Sequence, residues 1–201
     1  MKLLHRDDLF GWSQFNEERN LDFHSVLWVR TGGNVVVDPL PLTAHDRAHL
    51  ERLGGVAWIV VTNSDHTRAA AELAAATGAR VAGPQAERET FPIHCDRWLH
   101  DGEEVVAGLK VYELHGSKTP GELALFLQPE TLITGDLVRC HRAGWLCLLP
   151  REKLKDPHAA RASVKRLVDI PGIDAVLVGD GWPVFRDGHQ RLVELWESLS
   201  F

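Results

Sequence analysis

Apolar positions along the chain fall into short runs with two different periods. Residues 23–30 and 34–38 are strand-like and flank Thr31-Gly32-Gly33, a hairpin signal, and Pro39 and Pro41 stop the second run. Residues 43–53 read as a helix, with Thr43 as N-cap, Leu50 and Leu53 on an apolar edge and Gly54-Gly55 at the end. Residues 56–61 form a continuous apolar run, as expected of a strand covered on both faces. Thr62-Asn63-Ser64-Asp65-His66 follows, then an alanine-rich helix to Thr77 that ends at Gly78. A short strand starts over residues 80–82, and residues 108–114, 123–127 and 131–134 predict three more, with turns at Pro120-Gly121 and Pro129-Glu130. The spacing predicts a helix over 156–169, with Asp156 as N-cap, Pro157 at its first position and Ala160, Val164, Leu167 and Val168 on one face. A strand over 175–178 and a helix over 188–199 complete the pattern.

Residues 1–22 carry Phe10, Trp12 and Phe15 without a clean period and read as an irregular lead-in. The remaining order is β-rich, then helix and strand in alternation, repeated in two similar halves. Each half predicts a sheet with helices on one face, and two such halves bury their apolar surface by stacking sheet on sheet with helices outside.

The length of 201 residues suits one domain, taken here as 1–201, and is enough to bury a core without disulfides. A net charge of -6, with Lys and Arg scattered, argues against a nucleic-acid partner. No apolar run is long enough for a membrane span, and the first residues turn acidic with no signal-peptide core. Cys95, Cys140 and Cys147 fit no zinc or redox spacing and read as thiols of a reducing cytosol. A cytoplasmic location follows as the expectation, with a small-molecule substrate or ligand as partner and a homo-oligomer possible.

Three apolar strands end in small or polar residues: Val61 runs into Thr62-Asn63-Ser64-Asp65-His66, Ile133 into Thr134-Gly135-Asp136, and Val178 into Gly179-Asp180-Gly181. Strand C-termini are where α/β sheets bind ligands, and glycine admits a ligand close to the backbone. Singly these signals are weak. Asp65 can be a helix N-cap, Asp180 a turn residue, His66 an ordinary polar side chain and Arg68 part of a solvated helix face.

Taken in this order, the segments resemble the metallo-β-lactamase superfamily over about residues 23–199. The family's early strand-terminal Asp matches Asp38 in Val35-Val36-Val37-Asp38-Pro39. Its H-x-H-x-D-H motif falls on Val61, Asn63, Asp65 and His66. Its next His falls on Lys118, before Thr119-Pro120-Gly121, its bridging Asp on Asp136 after Gly135, and its last His on Asp180 between glycines.

The resemblance implies an α/β fold, a metallo-β-lactamase-like αββα four-layer sandwich. It also implies that the first metal site is lost, because Val61 has no donor atom and a charged Lys118 no acceptor. The second survives in altered form as Asp65, His66, Asp136 and Asp180. That oxygen-rich set suits one divalent ion (Mn, Fe, Zn or Mg), or none. The leading expectation is a metal-dependent hydrolase with an at most mononuclear site, Asp65 being a ligand that orients the water. The rival is a non-catalytic small-ligand-binding or scaffold member of the fold. Lys118, Arg68 and Asn63 are the candidates for substrate contact or charge compensation, and Lys118 is expected to pair with Asp136.

Overall fold

A computed structural model describes residues 1–200. The first sheet has seven strands in sequential order: β1 (Lys2–Leu3), β2 (Leu9–Asn16), β3 (Leu21–Trp28), β4 (Val35–Val37), β5 (Trp58–Val60), β6 (Arg80–Pro84) and β7 (Arg97–Leu99). Its first half is antiparallel and β4 to β7 run parallel. The connections from β4 to β6 are helices α1 (Ala44–Arg52) and α2 (Ala70–Thr77), as parallel pairing requires a crossover.

The second sheet has the order β13-β10-β9-β8, built from β8 (Leu109–Leu114), β9 (Glu122–Leu127), β10 (Thr131–Thr134) and β13 (Ala175–Val178). β8 to β10 form an antiparallel meander, and β13 returns parallel to β10 after α3 (Pro157–Val168). A two-stranded ribbon, β11 (Val138–Arg142) with β12 (Trp145–Leu148), lies beyond β10. Helix α4 (Gly188–Ser198) closes the described chain.

Three apolar clusters define four layers. Val37, Val60, Val111, Leu125, Ile133 and Leu177 meet between the two sheets. Leu50, Ala70 and Leu73 bury α1 and α2 on the outer face of the first sheet. Ala160, Val164, Leu167, Leu192 and Leu195 bury α3 and α4 on the outer face of the second. The architecture is αββα, and no described helix is long and apolar enough to cross a membrane.

Residues 1–22 are not an irregular lead-in: they hold β1, β2 and the start of β3, and β2 pairs with β3 along its whole length. The strand period is masked because β2 is only half buried, so Trp12 and Phe15 sit among polar neighbours. The helix after His66 is also shorter than the pattern implies. Ser64–His66 is a 3₁₀ turn, and α2 begins only at Ala70.

The loop that carries Lys118 is anchored to α3. The Ser163 hydroxyl accepts from the His115 amide at 2.8 Å and donates to the His115 carbonyl at 3.0 Å, and Ser163 is buried. Ser163→Ala leaves two backbone groups unpaired and is expected to lower unfolding free energy by about 1–3 kcal/mol, read from urea denaturation. An unchanged midpoint would show that the loop is held by other contacts.

Candidate functional site

Four strand ends converge at one edge of the sandwich. β4 ends at Asp38, which takes a left-handed backbone (φ 47°) and turns its carboxylate across to the next strand end. Asp38 accepts from the Thr62 amide at 2.8 Å, from the Thr62 hydroxyl at 2.6 Å and from His66 Nδ1 at 2.8 Å. Beyond β5, the Asn63 side chain accepts from the Asp65 amide and starts the 3₁₀ turn that presents His66. β10 delivers Gly135-Asp136 and β13 delivers Gly179-Asp180. A Cβ on Gly135 would lie 2.7 Å from Thr62 Oγ1, and one on Gly179 would lie 2.7 Å from His66 Cε1. Both glycines are needed for this close approach.

His66, Asp136 and Asp180 are buried, and each offers a ligand atom within 4.8 Å of the others, a group that could hold a metal ion. Asp65 stands outside this group, half exposed and paired with Lys118 at 2.6 Å. Asp65 does not cap α2 either, since the N-cap of α2 is Ala69. Lys118 also reaches Asp136 Oδ2 at 3.0 Å, the pair expected from the sequence. Arg68, held in a left-handed conformation (φ 38°) between the 3₁₀ turn and α2, points into the site. Its guanidinium donates to the His24 carbonyl at 2.7 Å and lies 3.6 Å from Asp180 Oδ1. Asn63 is buried as a cap and does not line the cleft. His141, near Asp136 in sequence, is exposed and outside the cleft.

Two residues of this site are not signalled by the sequence reading. Arg139, a buried arginine on β11, donates from Nη2 to Asp136 Oδ1 at 2.9 Å and to Asp180 Oδ2 through a short contact. Glu122, fully buried at the start of β9, accepts from the Ser117 hydroxyl and the Leu137 amide, both at 2.5 Å. Glu122 thereby ties the Lys118 loop to the Asp136 loop. Only the Asp136-x-x-Arg139 spacing hinted at the first, and nothing marked the second.

The electrostatics are those of a closed set. Asp38, Asp65, Asp136 and Asp180 supply four carboxylates, and His66, Arg68, Lys118 and Arg139 four cationic partners. Burial pulls the His66 imidazole down, but the Asp38 and Asp136 carboxylates together outweigh it and raise the imidazole to about 9. Burial alone would raise the Asp136 carboxyl. His66, Lys118 and Arg139 overcome burial and hold it well below the usual carboxylate range. Burial, with Asp136 nearby, pushes Glu122 up to about 7.

His66, Asp136 and Asp180 could hold a metal ion, and side-chain cations already contact the same carboxylates. Asp38 fixes the His66 ring through Nδ1, which leaves Nε2, 3.4 Å from Asp136 Oδ2, as the ring's ligand atom for a metal ion. Arg139 takes Asp136 Oδ1 and Asp180 Oδ2, while Asp136 Oδ2 pairs with Lys118 at 3.0 Å and Asp180 Oδ1 is buried without a hydrogen-bond partner.

The fold is that of metallo-β-lactamase-like proteins. A family model described as "Metallo-beta-lactamase superfamily" matches residues 1–199, so the chain belongs to the metallo-β-lactamase superfamily. Among solved structures it is similar to a metallo-beta-lactamase from Pontibacter korlensis, with TM-score 0.75, 16% identity and 98% of each chain covered. It is also similar to a metallo-beta-lactamase family protein from Thermus thermophilus, with TM-score 0.72, 21% identity, and 96% of this chain and 79% of that one covered. The metallo-beta-lactamase FIM-1 from Pseudomonas aeruginosa, in its mono-zinc form, gives TM-score 0.73 at 12% identity over 94% of this chain and 90% of that one. A search of curated proteins gives no match.

Two outcomes test the charge set. Arg139→Met leaves Asp136 and Asp180 facing each other without their shared cation, and is expected to destabilise the fold by about 3–5 kcal/mol. A loss within error of zero in denaturant titration would contradict the pairing. For Glu122 the carboxyl is raised from 4.5 to about 7 in the folded state. The stability linked to its bound proton is therefore full below about pH 4.5 and lost as pH rises through about 7. Glu122→Gln removes the buried charge: its amide oxygen can still accept from the Leu137 amide, and its amide nitrogen can donate to the Ser117 hydroxyl with that bond reversed. Above neutral pH it should exceed the parent in stability, by on the order of 3 kcal/mol at full ionisation. In acid this advantage should be absent, and a variant no more stable than the parent on the alkaline side would refute the assignment.

Proposed function

We propose that this chain is a non-catalytic, small-ligand-binding member of the metallo-β-lactamase superfamily, in which side-chain cations neutralise the strand-end carboxylates in place of a metal ion. The observation that carries this reading is the Arg139 guanidinium shared by Asp136 and Asp180. A divalent ion at those oxygens would have to displace a buried arginine and leave its charge unpaired. The cost of such a break is several kcal/mol. Lys118 adds to this by spanning Asp65 and Asp136 at 2.6 and 3.0 Å. A cleft whose carboxylates are held by side-chain cations would lack a metal to polarise a substrate or lower the pKa of water.

What remains is a polar cleft of about 330 Å³ lined by Arg19, Phe23, Asp65, His66, Arg68, Lys118, Asp136 and Asp180. Its size suits a small polar ligand. A mononuclear metal-dependent hydrolase is the second reading. It is favoured by the convergence of His66, Asp136 and Asp180 and by Asp180 Oδ1, which is buried without a hydrogen-bond partner.

Elemental analysis of protein purified without chelators separates the two, together with melting curves in added Zn²⁺ and Mn²⁺. The proposal expects metal far below one ion per chain and no cation-dependent rise in melting temperature, since only a ligand that binds the folded state stabilises it. One tightly held ion per chain, accompanied by metal-dependent hydrolysis of an ester, thioester or β-lactam, would establish the hydrolase reading instead.

A further inference from the structure

A second cavity lies back to back with the polar cleft. The chain at residues 22–24 runs beside 179–181, joined by the His24 amide to the Gly179 carbonyl at 2.9 Å and by the Gly181 amide to the Asp22 carbonyl at 2.8 Å. Side chains of an extended segment alternate between faces. Phe23 and Asp180 accordingly face the polar cleft, while Asp22, His24 and Gly181 line the opposite side. That side opens into a cavity of about 510 Å³ between the first sheet and the β13 edge of the second. The volume lies in the range of roughly 300–1,000 Å³ usual for small-molecule sites.

Three observations point to a ligand. The lining is mostly apolar, with Trp12, Val26 and Leu177 among its walls. Trp182 and Phe185 also line it, yet remain 57% and 40% exposed, so two large aromatic faces stand at its edge without cover. His24 also lines it, and its Nε2 is buried with no hydrogen-bond partner. An unpaired buried polar atom costs about 1–3 kcal/mol, and a turn of the His24 ring toward the cavity would let a ligand hydroxyl meet Nε2 and recover that cost.

We propose that this cavity binds a small aromatic molecule bearing a hydroxyl group, its ring between the aromatic side chains and its hydroxyl on His24 Nε2. A hydroxyl suits either tautomer of a neutral imidazole, because it can donate to a bare nitrogen or accept from a protonated one. Flat rings suit a site edged by Trp182 and Phe185, since aromatic pairs gain beyond their buried area. This site is separate from the polar cleft, and nothing in it depends on whether that cleft binds metal.

The probe is 2-naphthol, with naphthalene as the same ring lacking the hydroxyl, measured by equilibrium dialysis against the full chain. One molecule of 2-naphthol per chain should bind saturably and shift the His24 ring signals in NMR spectra. His24→Phe should weaken 2-naphthol about tenfold, the loss of one ordinary hydrogen bond, and leave naphthalene unchanged. Trp182→Ala should weaken both, and Arg19→Ala, in the polar cleft, neither. His24→Gln keeps a polar group and should bind 2-naphthol more tightly than His24→Phe, which guards against a variant that merely folds badly. No saturable binding up to the solubility limit, or equal binding by the parent and a folded His24→Phe, would overturn the proposal. A dimer in sedimentation that buries Trp182 and Phe185 would overturn it as well.

Discussion

The Arg139 guanidinium between Asp136 and Asp180 is the contact on which the rest of the site depends. Two carboxylates delivered by neighbouring strand ends into a dry edge repel each other strongly unless a cation or a proton intervenes. At a separation of about 4 Å and an effective dielectric of about 20 the Coulomb term is about 4 kcal/mol, comparable to the whole margin of a small domain. The parallel β10–β13 pair fixes those strand ends, so the carboxylates cannot move apart without breaking the ladder. A cation is therefore a structural requirement of the topology, whatever its chemical source.

This chain meets the requirement with its own side chains. Lys118 comes from the β8–β9 loop, Arg68 from the turn before α2 and Arg139 from β11. Each is held by contacts away from the carboxylates: Lys118 by a loop tied through Ser117 to Glu122, Arg68 by the His24 carbonyl, Arg139 by its buried strand. Asp38 plays a matching part on the other side of His66. It fixes the ring through Nδ1 and raises its affinity for a proton.

Much of this was legible in the sequence, for identifiable reasons. β5, β10 and β13 read clearly because sheets covered on both faces demand unbroken apolar runs. Asp65, His66, Asp136 and Asp180 read as candidates because each follows such a run, Lys118 because it precedes Thr119-Pro120-Gly121, and Asp38 only as a match to the family's early strand-terminal Asp. β2 was hidden because a half-buried strand mixes aromatic and polar residues without strict alternation. Arg139 was hidden for a different reason. Its partner Asp180 is 41 residues away, and only the β10–β13 pairing brings them together. Glu122 lies just outside the strand predicted over 123–127, and nothing local reveals that both its oxygens are enclosed.

The ionisation of Asp136 in protein stripped of metal tests the central claim most directly. A carboxyl-detected NMR titration follows it without any ligand. If side-chain cations balance the site, Asp136 stays ionised through the ordinary carboxylate range, about pH 4, with no metal added and no change when Zn²⁺ is supplied. An Asp136 that takes up a proton above that range in the stripped protein, and gives it up when Zn²⁺ is added, would contradict the account.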